Sequence, residues 1–381
     1  MNGEAAVSSH PDTFDSNDVW YAHPGQDDDV ILSTRVRLAR NLASFPFPAK
    51  SSEDERSRVQ SLVFDAFAKM AEPERFQAVA TDRLDELGKL VLAERCLLPD
   101  SPLLLGGEDS EEPVPSGLVV RDDGQLVCQV NCRDHMHVIG VMAGLAGESV
   151  YDICREIDNS LQEHLQFAAS YDFGFLTAAL RDAGSGMKMS ARAHLPAIAA
   201  LGKVPAEFDS LFSAGLSVKA SFGAGLADGG AVGAFYDISS NAALEGTEFD
   251  QLASFSAHVL RLVEQERRAR QELRENQPTV LKDTVYKAFA GFKFSRLIAC
   301  SDAIALLSHI LLGIDTGLLT GVRVCDLHAL LFRIRDAHVR FLDKAGSFVF
   351  EDDVVKSAEL KVNRLRCLIL QESLESVQLA G

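Results

Sequence analysis

Glycine and basic residues around position 188 have the types and spacing of an anion-binding segment. Gly184 and Gly186 bracket a serine, and Lys188 follows two residues later. Glycine lets the backbone come close to a bound phosphate, and lysine neutralises phosphate charge. A second basic pair, Arg35 and Arg37, falls on one face if this stretch is extended, because side chains alternate along a strand. These residues predict a site for an anionic ligand.

The acidic composition of the whole chain limits what this site can bind. The 381 residues carry a formal net charge of -18, with 47% hydrophobic and 24% charged residues. Nucleic acid and anionic membranes are held through many lysines and arginines, so neither is an expected partner. The anion site must therefore be local, in an ordinary globular protein long enough for two domains.

The sequence also indicates a compartment. The first twenty residues lack a basic start and an apolar core, so no secretory signal is expected. No apolar run reaches the roughly 18 residues that span a bilayer. The seven cysteines show no CxxC spacing, which is typical of reduced thiols. We expect a cytoplasmic protein whose residues 1–20 form a disordered tail.

Up to about residue 248, the sequence predicts a mixture of strands and helices, and these elements must position the basic residues. An Asp-Gly turn predicts a hairpin at 117–130, and residues 106–115 and 174–198 are treated as loops. The apolar pattern predicts strands at 30–37, 117–120, 125–130, 215–218 and 234–238, and helices within 51–93 and at 151–169.

After Thr247 the apolar period stays helical to the end of the chain. Residues 252–276 predict one long amphipathic helix that ends before Pro278, and further helices follow. The predicted fold class is α+β: an antiparallel β-sheet flanked by helices, followed by an all-helical C-terminal domain. The predicted division is a tail at 1–20, a sheet domain at 21–248 and a helical domain at 249–381.

Five segments in order carry a family resemblance. They are ILSTRVRLARN at 31–41, VNCRDHMHV at 130–138, GFLTAALRDAGSGMKMSARAHLPAI at 174–198, GLSVKASFGAGLADGGAVGAFYDISSN at 215–241 and VEQERRARQ at 263–271. Together they resemble the landmarks of the ATP:guanido phosphotransferase family, and most closely its bacterial protein arginine kinases. The resemblance covers roughly residues 28–375 and implies a guanido kinase catalytic fold, ATP with magnesium as cofactor, and phosphoryl transfer to a guanidinium.

On the nucleotide side, the resemblance preserves most of the positive charge. The family's Ser-Ser/Thr-Arg-x-Arg motif is matched at residues 33–37, while three further phosphate-binding arginines fall on Lys188, Lys219 and His137. Lysine lacks the bidentate guanidinium, and His137 is expected to be largely uncharged near neutral pH. An adenine-side histidine falls on Cys96. The resemblance thus implies nucleotide binding, weaker than in active relatives, through Ser33, Thr34, Arg35, Arg37, Cys96, His137, Lys188, Ser190 and Lys219.

On the acceptor side, the family's functional residues are replaced. The second glutamate of the Asn-Glu-Glu-Asp-His motif falls on Arg133, and the glutamate of Arg-Gly-x-x-Gly-Glu falls on Ala224. The cysteine of Cys-Pro-Thr-Asn falls on Ala179. A cation at position 133 would repel a guanidinium, so no catalytic residue is assigned here. Asp134 and Asp182 lie near the lost positions and are candidates to replace them.

Three functions are compatible with this pattern. The first is a catalytically impaired relative that keeps a nucleotide or phosphate site and acts as a regulatory or scaffolding protein. As the resemblance implies, it would form homo- or hetero-oligomers, dimers included, with an active protein arginine kinase or with proteostasis factors. The second is a working phosphotransferase that uses Asp134 or Asp182, and the third is a structural oligomer without a ligand.

Simpler interpretations of the single residues stay open. Arg35 and Arg37 could be solvated arginines on a strand, and Lys188 could be an ordinary surface lysine. Cys132, with the histidines at 135 and 137, resembles part of a zinc site, but no fourth ligand is evident and no metal is expected.

Overall fold

The protein is described by a computed structural model that covers residues 19–98, 115–223, 230–241 and 246–380. Within these residues, an eight-stranded sheet has the order β2-β3-β4-β5-β1-β8-β10-β9, and its neighbouring strands are antiparallel. A separate short hairpin, β6–β7, lies outside it. The strands are β1 Ile31–Arg40, β2 Phe76–Ala80, β3 Gly117–Arg121, β4 Leu126–Val130, β5 Met136–Ala143, β6 Ala169–Ser170, β7 Gly174–Phe175, β8 Met187–His194, β9 Leu216–Ala220 and β10 Phe235–Ser240.

Helices cover one face of this sheet. On the opposite face, Leu118, Val127 and Ile139 of β3, β4 and β5 pack with Ala93 of α2, whereas β1 and β8 carry polar side chains there. Helix α3 packs against β1 and β5, and α6 packs against β8. The antiparallel sheet flanked by helices confirms the predicted fold class. The helices of this part are α1 Glu53–Phe67, α2 Glu86–Glu94, α3 Gly147–Gln162, α4 Pro196–Ala200, α5 Val204–Ser213 and α6 Glu248–Asn276.

The C-terminal region is helical, apart from the short pair β11 Leu319–Thr320 and β12 Gln378–Leu379. Its apolar residues form a second core, which also takes in Leu32, Phe222 and Phe235 from the sheet region. The two regions therefore share buried surface. The helices are α7 Pro278–Phe294, α8 Cys300–Asp315, α9 Val324–Arg333, α10 Asp336–Ala345 and α11 Ala358–Ser373.

The long helix α6 belongs by its packing to the sheet. It begins at a capping box in which Thr247 and Asp250 bond each other's backbone, and Pro278 follows its last turn. Its buried residues, from Leu252 to Leu273, lie in the core under the sheet. Helix α6 therefore packs in the core under the sheet, and the residues after Pro278 pack in the second core. The sequence predicts the domain boundary earlier, at residue 248.

Several elements differ from their predictions. The sequence predicts a loop after Gly186, but this segment is the central strand β8. The sequence also gives no prediction of β2 or β5. The helix expected at 151–169 begins at Gly147 and ends at Gln162. The expected tail falls outside the described residues except for its last two, which are buried, and most of the expected loop at 106–115 also falls outside them.

Among the described residues, no helix combines the length and the apolar character needed to cross a bilayer.

Candidate functional site

Strand β1 separates basic and apolar side chains onto opposite faces of the sheet. Arg35 and Arg37 are partly exposed, whereas Thr34, Val36 and Leu38 are buried. This is the alternation expected of a strand with one face on the core. Both arginines therefore project from the open face, as their spacing predicted.

Strand β8 adds to the same face. In the antiparallel register, Lys188 lies directly opposite Arg37, and Ser190 lies opposite Arg35. Directly opposed residues of antiparallel strands project to the same side and are close neighbours. The two predicted basic segments, about 150 residues apart in sequence, thus meet on one surface.

The basic surface continues towards the edge of the sheet. Arg192 is opposite Ser33 on one side and Asp237 on the other, and Asp237 is opposite Lys219. The Arg192 guanidinium donates to both Asp237 oxygens, at 2.8 and 3.2 Å. Burial alone raises the pKa of Asp237, but Arg192 and Lys219 hold it below its ordinary value. Cys96 lies at this end, with its sulfur 4.0 Å from Arg192.

Arg192 was given no role from the sequence, although a signal for it was present. Lys188, Ser190 and Arg192 alternate with buried Met189 and Ala191. This period of two predicts a half-buried strand. The neighbouring glycines and Pro196 favoured a loop instead.

We call Arg35, Arg37, Lys188, Arg192 and Lys219 the cationic face. Two carboxylates pair with this face: Asp182 with Arg37, and Asp237 with Arg192. The clustered cations repel one another, so the face favours an anionic ligand. This surface lies in a chain whose net charge is -18.

Thr34 does not belong to this face, although its motif grouped it with the arginines. Its side chain is fully buried on the opposite side of β1. The Thr34 hydroxyl donates to the Gly144 carbonyl at 2.7 Å and accepts from the Ala146 amide at 3.2 Å. Thr34 therefore fastens the chain after β5 to the sheet and is not placed to contact a nucleotide.

His137 is buried beside the cationic face, opposite Ala39 on β1. Its Nδ1 lies 3.2 Å from the Cys132 sulfur, and its Nε2 lies 3.1 Å from Asp134. Burial alone lowers the pKa of His137, but the Cys132 sulfur and the Asp134 carboxylate, opposed by Arg37, raise it to about 9. The expectation of a largely uncharged His137 is therefore corrected, because a pKa of about 9 favours the protonated imidazole at neutral pH.

Asp134 is fully engaged by its surroundings. One carboxylate oxygen accepts from the Asn41 amide at 2.6 Å and from the Ala178 backbone N–H at 2.7 Å, and the other faces His137. The side chain is completely buried. Burial raises the pKa of Asp134, but His137 and these donors lower it below its ordinary value. Both oxygens of this buried carboxylate are therefore bonded to neighbouring groups.

The remaining acceptor-side positions lie at one end of the sheet. Arg133 is in the turn between β4 and β5, and Ala179 precedes a 3-10 turn at Leu180–Asp182. Asp182 ends that turn, and its carboxylate accepts from Arg37 at 2.5 Å. Ala224 lies outside the described residues. Both aspartates proposed as replacement acids are therefore already bonded to neighbouring side chains.

The zinc alternative gains no support from the geometry. His135 precedes β5, where its Nδ1 accepts from the Leu42 amide at 3.0 Å and its Nε2 lies 2.9 Å from the Pro46 carbonyl. In the described stretches, no group of three histidine, cysteine or carboxylate residues is arranged to hold a metal ion.

Comparison with known protein families yields two matches that together run along most of the chain. The C-terminal catalytic domain of ATP:guanido phosphotransferases matches residues 58–269. The protein-arginine kinase McsB C-terminal domain matches residues 278–378. The change between the two matches falls where the packing changes from one core to the other.

Individual relatives agree with these matches. The protein-arginine kinase of Syntrophomonas wolfei is 33% identical over 84% of this chain and 86% of its own length. That of Halothermothrix orenii is 30% identical over 91% of this chain and 96% of its own.

Solved structures show the same fold at lower identity. The substrate-free duplicated taurocyamine kinase of Schistosoma mansoni superposes with a TM-score of 0.54 and 22% identity, over 69% of this chain and only 39% of that one. A lombricine kinase gives the same TM-score with 21% identity, over 68% of this chain and 71% of that one.

Proposed function

The chain belongs to the ATP:guanido phosphotransferase family, and on this premise we propose that it binds a nucleoside triphosphate yet phosphorylates arginine poorly or not at all. Its role would then be regulatory or scaffolding. The proposal rests on the bonding partners of Asp134 and Asp182, the two carboxylates that could replace the lost acceptor-side residues. Asp134 is buried under three bonding partners and Asp182 is paired with Arg37, so neither is presented to an acceptor.

The nucleotide half of the proposal rests on the cationic face. Phosphoryl transfer needs cations that hold the triphosphate and neutralise its charge. Arg35, Arg37, Lys188 and Lys219 supply side-chain cations on one surface, and His137 adds a buried charge behind Arg37. Magnesium-bound ATP would place its phosphates along these residues, with Cys96 near the Arg192 end.

The second part of the proposal, poor transfer to a guanidinium, rests on the residues at the positions of the family's substrate-binding glutamates. A guanidinium must be held and aligned by carboxylates before it can attack. Arg133 occupies one such position, and at about 4 Å with an effective dielectric of about 20 it would repel the substrate by about 4 kcal/mol. Asp134 and Asp182 are engaged by other groups, so neither is placed to offset this repulsion by binding the acceptor.

A second candidate is a working protein-arginine kinase. It is favoured by the relatives that carry this name at about a third identity over most of the chain. In that case the acceptor would be an arginine in a protein, held by groups that become available when a nucleotide is bound. Assembly with an active kinase or with proteostasis factors, and a cytoplasmic location, belong to the first proposal as expected properties.

One experiment separates these candidates. The parent protein and the double variant Arg133→Glu, Ala224→Glu are incubated with radiolabelled ATP-Mg and an unfolded, arginine-containing protein, and ATP binding is measured by titration calorimetry. We expect ATP binding by both proteins, and transfer by the double variant alone. Either single variant should stay inactive, because the family motifs hold the guanidinium with both glutamates.

Two outcomes would overturn the proposal. Robust phosphorylation of arginine by the parent would establish the working kinase. Absence of ATP binding at millimolar nucleotide would remove the ligand and leave the structural oligomer.

A further inference from the structure

An anionic side chain of the protein itself occupies part of the cationic face. The Asp182 carboxylate lies 2.5 Å from the Arg37 guanidinium, and both side chains are about nine-tenths buried. Arg37 is directly opposite Lys188. The carboxylate thus lies where the phosphate of a ligand would meet this arginine.

We propose that Asp182 is an internal competitor of the nucleotide, which occupies the phosphate position at Arg37 until a phosphate group displaces it. This inference rests on the proposed nucleotide site and adds its regulation. The family motif has an uncharged asparagine where this chain has Asp182, so the competing charge is a property of this chain's own sequence.

The chemistry of the exchange follows from the guanidinium. Arg37 can bond a carboxylate or a phosphate with the same N–H groups, and both are charge-assisted bonds. A ligand must break the ion pair between Asp182 and Arg37 before its phosphate can bond Arg37. It therefore gains less binding free energy than it would if no carboxylate were bonded to this arginine. Nucleotide affinity is therefore lowered, by about tenfold if one such bond is lost in the exchange.

The segment that carries Asp182 has little else to hold its outer surface. Leu180, in the same turn, is 86% exposed, so it contributes little burial. The turn is closed by the Asp182 amide, which donates to the Ala179 carbonyl at 2.9 Å. Beyond it, Gly184 exchanges two backbone bonds with Phe175 of β7, which fixes the end of the segment. The Asp182 side chain thus ties this turn to β1, next to the bond from the Ala178 amide to Asp134 at 2.7 Å.

Displacement of Asp182 from Arg37 would also affect the acceptor side of the site. Ala179, at the position of the family's cysteine, begins the same turn. When a phosphate takes Arg37, the residues from Ala179 to Asp182 lose their tie to β1 and are free to rearrange. Nucleotide binding and the shape of the acceptor side are therefore coupled through one ion pair.

The test compares Asp182→Asn with a matched control. Asp172→Asn removes the same charge from the exposed tip of the β6–β7 hairpin, away from Arg37. Binding of ATP-Mg and of inorganic triphosphate is measured by calorimetry for the parent and for both variants. Asp182→Glu is included because it keeps a carboxylate. Hydrogen exchange of residues 177–183 is followed without any ligand.

We expect Asp182→Asn to bind both ligands about tenfold more tightly than the parent, with Asp172→Asn unchanged and Asp182→Glu close to the parent. Exchange of residues 177–183 should rise in Asp182→Asn alone.

The failures are distinguishable. If the parent binds ATP and Asp182→Asn binds it no better, the internal competitor is wrong while the nucleotide site stands. If no protein of the set binds either ligand, the nucleotide site itself is wrong and the competitor has nothing to exclude. Unchanged hydrogen exchange in Asp182→Asn would show that this side chain does not hold the turn.

Discussion

The buried charge on His137 should be lost at alkaline pH, and its loss should weaken the fold. The pKa of His137 is raised from 6.5 to about 9 by the Cys132 sulfur and Asp134, against the opposing effect of burial. A group whose pKa is raised on folding binds its proton more tightly in the folded state. Its stabilisation is fully present below pH 6.5 and is lost as the pH rises through about 9.

The size of the effect follows from the shift. Each pKa unit is worth about 1.4 kcal/mol, so a change from 6.5 to about 9 corresponds to about 3 kcal/mol. Because His137 and Asp134 are almost completely buried, solvent screens this pair little. Between about pH 7 and pH 10, the parent should lose about 3 kcal/mol more unfolding free energy than His137→Gln, which has no proton to lose.

The direct assay is an NMR titration of histidine-labelled protein, with His137 assigned by its absence from the His137→Gln spectrum. His328 gives an internal contrast, since burial without a carboxylate partner lowers its pKa to about 4. Cys132→Ala should lower the pKa of His137, because the sulfur lies 3.2 Å from Nδ1. A midpoint for His137 below pH 7 in the parent would refute the reasoning, as would equal pH dependence of stability in the parent and His137→Gln.

Two further predictions test the assignment of β1. Arg35→Ala should weaken ATP binding by roughly ten- to a hundredfold and reduce its salt dependence, whereas Arg56→Ala on exposed α1 should change neither; calorimetry at two salt concentrations decides. Thr34→Val should lower the unfolding free energy by about 1 to 3 kcal/mol in urea without changing ATP affinity, since it loses two buried bonds on the face away from the arginines. Weaker ATP binding by folded Thr34→Val would show that Thr34 contributes to the nucleotide site.

The fold was predictable where the sequence carries periodic or turn signals. The hairpin of β3 and β4 was found from its Asp-Gly turn, and the long helix α6 from its apolar period and the following proline. Strand β5 was missed because its residues are almost all apolar, so it shows no alternation. The apolar period of α6 predicts a buried face but does not specify which element packs against it. The sequence therefore could not show to which core α6 belongs.

The site divides in a similar way. The shared face of Arg35 and Arg37 followed from strand alternation, and the register then supplied their neighbours Lys188 and Ser190. The charge of His137 depends on Cys132, five residues earlier, which approaches it only because the chain turns before β5. Such contacts between side chains across a turn have no periodic signature in the sequence.

The replacements on the two sides of the site act in the same electrostatic direction. On the phosphate side, the resemblance places arginines of the family at Lys188, Lys219 and His137, all of which can carry positive charge. On the acceptor side, it places three glutamates of the family motifs at Cys132, Arg133 and Ala224, which implies that negative charge is removed and one positive charge is added. A guanidinium is repelled by this change and an anion is attracted by it. The Asp182 carboxylate faces Arg37, the arginine that would bind phosphate. These charges are the electrostatic basis of our proposal that the protein binds a polyanion and transfers phosphate to a guanidinium poorly or not at all.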